Sequence, residues 1–421
     1  MIDFLTTART RVLSGRVLVR RAFQLSFGRG FASVLSAAWI ILAARRLTIE
    51  EFGNVSVALA LIIILTSLSD FGLQFLLARD VVETGRIRRA VLDDVIVRRL
   101  GLSLVAAALM VVLNEVATHD PDLAVPLIFS LTIVGAGFYN PSITGFRATG
   151  NINLEVTCEI VSRAVVLIGG GLWLLGGGGI MAVAIAYSGV GLAVGLVAYG
   201  FVRFESVTEA LGTPRPSLSL RAAAPFVLAS TVGAVYQRID NYLLGLLRGS
   251  VAAGFYGASY RFQDLNMLIP TALGQMALSE AAGQEPRTRL SVGKRVAAQS
   301  VLLALPPVIL FSLFAQPLLA FLFGARYGVA APIVVVLMIS TLPGAAAIAL
   351  QGLTGVTDPR RFAGATAGSL ALNVVANLAL IPPLGGLGAA IANVISQTFL
   401  AGAYYWALWR KTSELTASAA T

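Results

Sequence analysis

Residues 238–261 read RIDNYLLGLLRGSVAAGFYGASYR. Two apolar arms, predicted as helices over 220–247 and 252–277, flank a turn at Arg248. Each carries an arginine nine residues in from its turn-side end. At 1.5 Å of rise per residue, Arg238 and Arg261 both lie about 14 Å deep, close to the centre of a ~30 Å hydrocarbon layer. Asp240 and Asp264 fall at neighbouring depths. A charge there costs roughly 2.5–3.5 kcal/mol to insert, so it must face a wet cavity or a partner. Arg261 and Asp264 are three apart and share a helix face, which suits a neutralised pair as well as a site. Arg238 and Asp240 are two apart and diverge, so Asp240 is expected to reach Arg261 across the hairpin. Arg238 is then the best candidate for an unpaired cavity cation, a structural bridge being the alternative.

The rest of the chain shows why this stretch belongs in a bilayer. Of 421 residues, 57% are hydrophobic and 12% charged, about half the usual charge of a soluble domain. Mean hydropathy is +0.82. Such a composition excludes a soluble globular enzyme, a disordered chain and a disulfide-stapled secreted protein. The 31 basic residues include only two lysines, Lys294 and Lys411. In a membrane protein that excess reports loop charge, not nucleic-acid binding. Cys158 and His119 are each the sole residue of their kind. An intrachain disulfide, a Cys-based metal cage, a His-cluster metal site and a histidine relay are thereby excluded.

Apolar runs give an all-α integral membrane protein of about twelve transmembrane helices. They fall near 23–44, 54–77, 98–116, 123–146, 157–175 and 180–202, then 220–247, 252–277, 292–322, 329–352, 362–382 and 386–409. With both termini cytoplasmic, the inner segments hold 24 cations and the outer loops only Arg45, Arg46, Arg248 and Arg326. Arginine and lysine collect on the cytoplasmic side, so an N-in, C-in topology is expected. Residues 1–22 form a basic cytoplasmic segment without the apolar core of a signal peptide. Ile2–Arg21 suits either an amphipathic helix on anionic lipid or a disordered positive tail. Residues 203–219 and 410–421 are the expected cytoplasmic linker and tail.

The chain repeats itself. The turn Leu47-Thr48-Ile49-Glu50-Glu51-Phe52-Gly53 echoes Arg248-Gly249-Ser250-Val251-Ala252-Ala253-Gly254, which aligns Gly53 with Gly254. Gly178–Ala182 likewise echoes Gly385–Ala389. Both offsets are close to half the chain, which predicts two pseudo-symmetric six-helix lobes, 23–202 and 220–409. Duplicated bundles with a site at the repeat interface suit alternating-access transport.

Several stretches resemble the polysaccharide and O-antigen flippases. They are Arg238–Gly245 with Gly254–Arg261, Ala44-Arg45-Arg46-Leu47 through Phe52-Gly53, and Asp70-Phe71-Gly72-Leu73. Asn373 through Leu380-Ile381-Pro382 and Leu387-Gly388-Ala389-Ala390-Ile391-Ala392 are similar to the last two helices of that family. The resemblance covers 25–405. It implies the multidrug/oligosaccharidyl-lipid/polysaccharide exporter fold and export of a lipid-diphosphate-linked glycan across the bacterial inner membrane. The two extra helices usual in lipid II flippases are not seen, which favours an oligosaccharide over a peptidoglycan precursor.

An acidic headgroup explains intramembrane arginine, because guanidinium stays charged and binds phosphate through two parallel hydrogen bonds. The expected cavity residues are Arg238, Arg261, Asp240, Asp264, Arg29, Arg147, Tyr139 and Asn140. Arg29, low in the first helix, could meet an entering headgroup or snorkel to the interface. Arg147 and Arg163 read first as topology charges. Tyr139-Asn140-Pro141 joins a Pro kink to polar groups and suits cavity lining or a bend equally. Asp70 reads as part of a structural turn, and Asn373, Asn377, Asn393 and Gln397 as interhelical hydrogen-bonding residues. No cofactor or metal is expected; coupling to H+ or Na+ would have to use Asp240, Asp264, Glu155 or Glu159, and the membrane potential is a further source. Expected partners are a polyprenyl-diphosphate-linked glycan, membrane lipids, a glycan polymerase and glycosyltransferases. A small-cation or multidrug exporter of the same fold is the rival, although it would favour acidic cavities. A membrane glycan polymerase or ligase is disfavoured, since the 114–122 loop with Glu115, His119, Asp120 and Asp122 is too short to enclose a site.

Overall fold

The computed structural model describes residues 15–118, 122–207, 220–281 and 284–418. His119, Asp120, most of Ile2–Arg21 and most of the 203–219 linker lie outside them, as does the side chain of Arg29. Among the described residues the fold is helical, apart from one isolated parallel bridge between Arg88 and Val207. The first half contains α1 (Gly15–Arg46), α2 (Ile49–Asp70), α3 (Leu73–Thr84), α4 (Arg89–Thr118) and α5 (Ala124–Thr149). It continues with α6, formed by Ile152–Val165, a π-helical turn Val166–Gly170 and Gly171–Leu175, and with α7 (Gly179–Glu205). The second half contains α8 (Leu220–Asn266), α9 (Leu268–Ala281), α10 (Pro286–Leu313) and α11 (Ala315–Phe323). A 3-10 turn (Ala325–Ala330) leads to α12 (Ala331–Thr357), α13 (Pro359–Leu384) and α14 (Gly386–Ser418). Nine helices among the described residues are long and apolar enough to cross a membrane.

Three apolar intervals are interrupted. The 54–77 interval breaks at Phe71 and Gly72, both left-handed, with φ of 42° and 73°. The 252–277 interval breaks at Met267, and 292–322 at Phe314, which has φ −107° and ψ 21°. Within α8, Gly249 (φ 77°, ψ 173°) separates the two arms anticipated at that turn. The α1–α2 turn is held by a capping box: the Glu51 amide donates to Thr48 Oγ1 at 3.1 Å and the Thr48 amide to Glu51 Oε2 at 2.8 Å. That satisfies N-terminal amides which would otherwise lack partners.

Packing repeats between the halves. In the first, α1 packs on α6, α4 on α5 and α5 on α7; in the second, α8 packs on α13, α10 on α12 and α12 on α14. The main junction between halves is α2 against α8. There the two glycines aligned from sequence meet: a Cβ at Gly53 would overlap the Ser250 carbonyl, and one at Gly254 would crowd Ile49 O and Gly53 N. Residues equivalent under a two-fold axis meet only on that axis, so this contact is what the internal repeat requires.

Candidate functional site

The geometry of the intramembrane charges corrects the sequence expectation. Arg238 is paired: its Nη2 donates to Asp264 Oδ1 at 3.2 Å and Oδ2 at 3.3 Å. Its guanidinium also lies 4.7 Å from the Tyr260 ring centroid, a favourable cation–π distance. Arg261 Nη1 donates to the same carboxylate, at 3.0 Å from Oδ2. Asp240 does not reach Arg261; buried, it accepts from the Tyr256 hydroxyl and from the Asn241 amide. The partner of Arg238 lies 26 positions away on the second arm of α8, where helix-face reasoning along a single arm cannot find it. Two guanidiniums thus share the Asp264 carboxylate, while Asp240 in the same layer is bonded to neutral groups.

A large void lies elsewhere, mainly between α2, α4, α5, α6 and α7. It is a cavity of about 490 Å³ whose wall includes Asp70, Gln74, Arg99, Thr132, Tyr139, Asn140, Glu159, Arg163 and Tyr187. A second cavity of about 280 Å³ shares Gln74, Tyr139, Asn140 and Glu159 with it and reaches Arg147 and Glu155 at the α5–α6 turn. A third, of about 170 Å³, shares Arg163, Ile63, Val166 and Tyr187 with the large cavity and adds Trp39, Ser36 and Arg261. Tyr139 and Asn140 are therefore cavity residues as well as neighbours of Pro141 inside α5.

Helix geometry explains how α6 serves all three voids. Glu155, Glu159 and Arg163 are spaced by four, so they stand on one face about 6 Å apart along the axis. Glu155 is buried and accepts from Arg147 at 2.6 and 2.9 Å. Arg147 is thus a half-exposed ion-pair member at the smaller cavity, not solely a topology charge. Among the described residues, neither Glu159 nor Arg163 has an ion-pair partner. Arg163 instead stands 6.0 Å from the centre of the Tyr187 ring. Beyond the topology reading of Arg163, its side chain lines a cavity.

Arg99, just inside the 98–116 apolar run, is a second arginine at the cavity wall. It is fully buried in α4 and bonded through Nη1 to Asp70. Asp70 also accepts from Gln74 Nε2 at 2.8 Å, and Gln74 Oε1 accepts from Thr144 at 3.2 Å. The Asp-Phe-Gly turn therefore ties α2, α3, α4 and α5 together at the cavity wall. Arg99 Nε and Nη2 have no hydrogen-bond partner. The signal available from sequence was the spacing of Arg99 just inside the third apolar run. In the second half Asn373 Nδ2 donates to Ser396 at 3.0 Å and Gln263 Nε2 to Asn393 at 3.4 Å, both between helices, whereas Asn377 Nδ2 donates within α13 to Asn373, which corrects its interhelical reading.

The end of the molecule opposite the Arg147 mouth is sealed. Arg45, at the end of α1, donates to the carbonyls of Leu322 (2.8 Å) and Phe321 in the last turn of α11. Reciprocally, Arg326 donates to Ala44 O (2.8 Å) and Leu47 O at the end of α1. Arg248 caps Pro382 O at 2.8 Å. Cations are favourable at helix C-termini, where unpaired carbonyls carry partial negative charge. Beneath them Phe52, Phe255 and Phe323 pack around Tyr327 with ring centroids 5.9–6.0 Å away.

Comparison with known proteins agrees with this architecture. The chain is 23% identical over 389 residues to the probable low-salt glycan biosynthesis flippase Agl15 of Haloferax volcanii, covering 90% of this chain and 81% of that protein. Its fold superposes on the lipid II flippase MurJ in an inward closed conformation with a TM-score of 0.76. That match has 12% identity and covers 91% of this chain and 87% of the other. An inward-facing transporter of the multidrug resistance MATE family, in the MOP superfamily, superposes with a TM-score of 0.66 at 16% identity, covering 91% and 95%. The family described as polysaccharide biosynthesis protein matches residues 18–278. The chain is a multi-pass membrane protein that belongs to that polysaccharide biosynthesis protein family.

Proposed function

We propose that the cargo is a polyprenyl-diphosphate-linked oligosaccharide, carried across the bacterial inner membrane by alternating access for surface polysaccharide synthesis. In this scheme twelve helices span the bilayer with both termini cytoplasmic. Residues 23–202 and 220–409 form two lobes that rock about the α2–α8 junction. The observation that carries the reading is that Arg163 of α6 and Arg261 of α8, one from each half, line one pocket that shares residues with the large cavity. Arg163 has no carboxylate of its own, and Arg261 shares Asp264 with Arg238. A diphosphate offers two anionic groups to two guanidiniums, each able to form parallel charge-assisted hydrogen bonds. Binding across both lobes favours the arrangement that holds them together around the cargo, which is the differential affinity a population shift needs.

No bond is made or broken in such transport, so the chain needs no catalytic group. The driving force is an H+ or Na+ gradient, or the membrane potential acting on an anionic headgroup. A glycan polymerase and glycosyltransferases stand on either side of it in the synthesis. The unpaired carboxylate of Glu159 in the cavity wall favours, as a second reading, a small-cation exporter of the same fold.

Flipping of a fluorescent lipid-diphosphate oligosaccharide in reconstituted vesicles separates the two. Loss of one charge-assisted contact in Arg163→Ala is expected to slow flipping by about ten- to a hundredfold, with Arg163→Lys intermediate. Unchanged flipping by the alanine variant, or efflux of cationic dye in its place, removes the flippase assignment of this pocket.

A further inference from the structure

Glu159 poses a problem for a carrier of anions. Its carboxylate lines both the 490 Å³ and the 280 Å³ cavities and has no ion-pair partner among the described residues. An uncompensated negative charge beside a diphosphate lowers affinity unless it recognises another part of the cargo. The surroundings indicate which part. Along α6 the order is Arg163 at the pocket shared with Arg261, then Glu159 one turn away, then Glu155 paired to Arg147 at the mouth. With the diphosphate held by Arg163 and Arg261, a first sugar extending along α6 into the large cavity would meet Glu159 about one helical turn, ~5–6 Å, from Arg163. Around Glu159 stand the amides of Gln74 and Asn140 and the ring of Tyr139. A carboxylate accepts hydrogen bonds from two neighbouring hydroxyls, amides both donate and accept, and an aromatic ring supplies an apolar face.

We infer that Glu159, with Asn140, Gln74 and Tyr139, forms a subsite for the first sugar, and that it selects a neutral hexose with adjacent free hydroxyls over an acidic one. The inference rests on the flippase reading above. Hydroxyls donating to the carboxylate gain charge-assisted bonds, whereas a hexuronate brings a second negative charge against Glu159.

The test uses full-length protein in nanodiscs and three probes: polyprenyl diphosphate, polyprenyl diphosphoglucose and polyprenyl diphosphoglucuronate. The wild type is expected to bind the glucose probe about tenfold or more tighter than either of the others. Glu159→Ala should bring the three affinities together while leaving that for polyprenyl diphosphate unchanged or slightly tighter. Glu159→Gln, which keeps shape and hydrogen bonding, should retain part of the preference for glucose over bare diphosphate but accept glucuronate. Equal weakening of all three probes in both variants, or a wild type with no preference among them, overturns the subsite. A wild type that binds none of them overturns the flippase reading as well, so the two failures are distinguishable.

Discussion

Arg238, Arg261 and Asp264 form one charged cluster that joins the two arms of α8. Counting from the turn at Arg248 located the layer holding Arg238, Arg261 and Asp264. The bridge from Arg238 to Asp264 crosses between two arms whose relative rotation no single-helix periodicity specifies. Arg163 and Arg99 were absorbed into the loop tally because a cation near a helix end reads the same whether it faces water, lipid or a cavity. Their surroundings now separate them: Arg99 is fully buried on Asp70, whereas Arg163 is partly exposed in the cavity. Removing one member of a buried pair leaves a naked charge, at a cost of about 3–5 kcal/mol, while replacing both by apolar residues is often neutral. Asp70→Asn is accordingly expected to lower the melting temperature in detergent markedly, and Asp70→Leu with Arg99→Met to recover most of the loss. If the double variant were no more stable than the single one, the pair would be acting through the cavity and not as a tether.

At the element scale, hydropathy located the helices but not their interruptions. Phe71 and Gly72 adopt left-handed backbone between two apolar runs, and nothing in the mean hydropathy of 54–77 marks a break there. The repeat was more informative, because it rests on turn residues instead of bulk greasiness. Gly53 and Gly254, aligned from sequence, sit where α2 and α8 approach too closely for any side chain. Gly53→Ala is expected to force these helices apart and to cost about 1–3 kcal/mol, as overpacking does. Gly101 in α4 is the internal control: ordinary backbone and open space surround its missing Cβ, so Gly101→Ala should be neutral or slightly stabilising. Thermal unfolding of the two variants side by side checks both signs. Similar melting temperatures would show that the α2–α8 approach tolerates a methyl group and that the glycine contact is incidental.

At the scale of the whole molecule, three of the four arginines expected in outer loops, Arg45, Arg248 and Arg326, bond to backbone carbonyls at helix ends. Arg45 and Arg326 are exchanged between halves, each capping the final carbonyls of a helix in the other. In the proposed alternating-access scheme these bonds break when the end opposite the Arg147 mouth opens, so they favour the closed arrangement over the open one. A hydrogen bond from a charged donor contributes about 1.5–3 kcal/mol when well formed, and exposure of Arg45 lessens its share. Losing both arginines therefore shifts the sealed-to-open ratio by at least about tenfold, since 1.4 kcal/mol is a factor of ten. Spin labels at Glu50→Cys and Val329→Cys, both exposed positions flanking the seal, report that ratio on a Cys158→Ala background. The parent should give one short distance. Arg45→Ala with Arg326→Ala should add a longer, substantially populated one, and each single variant should fall between. The aromatic cluster around Tyr327 is left untouched by these changes, so a persistently short distance in the double variant would assign the closure to ring packing and the α2–α8 glycine contact, with the arginines merely satisfying helix ends.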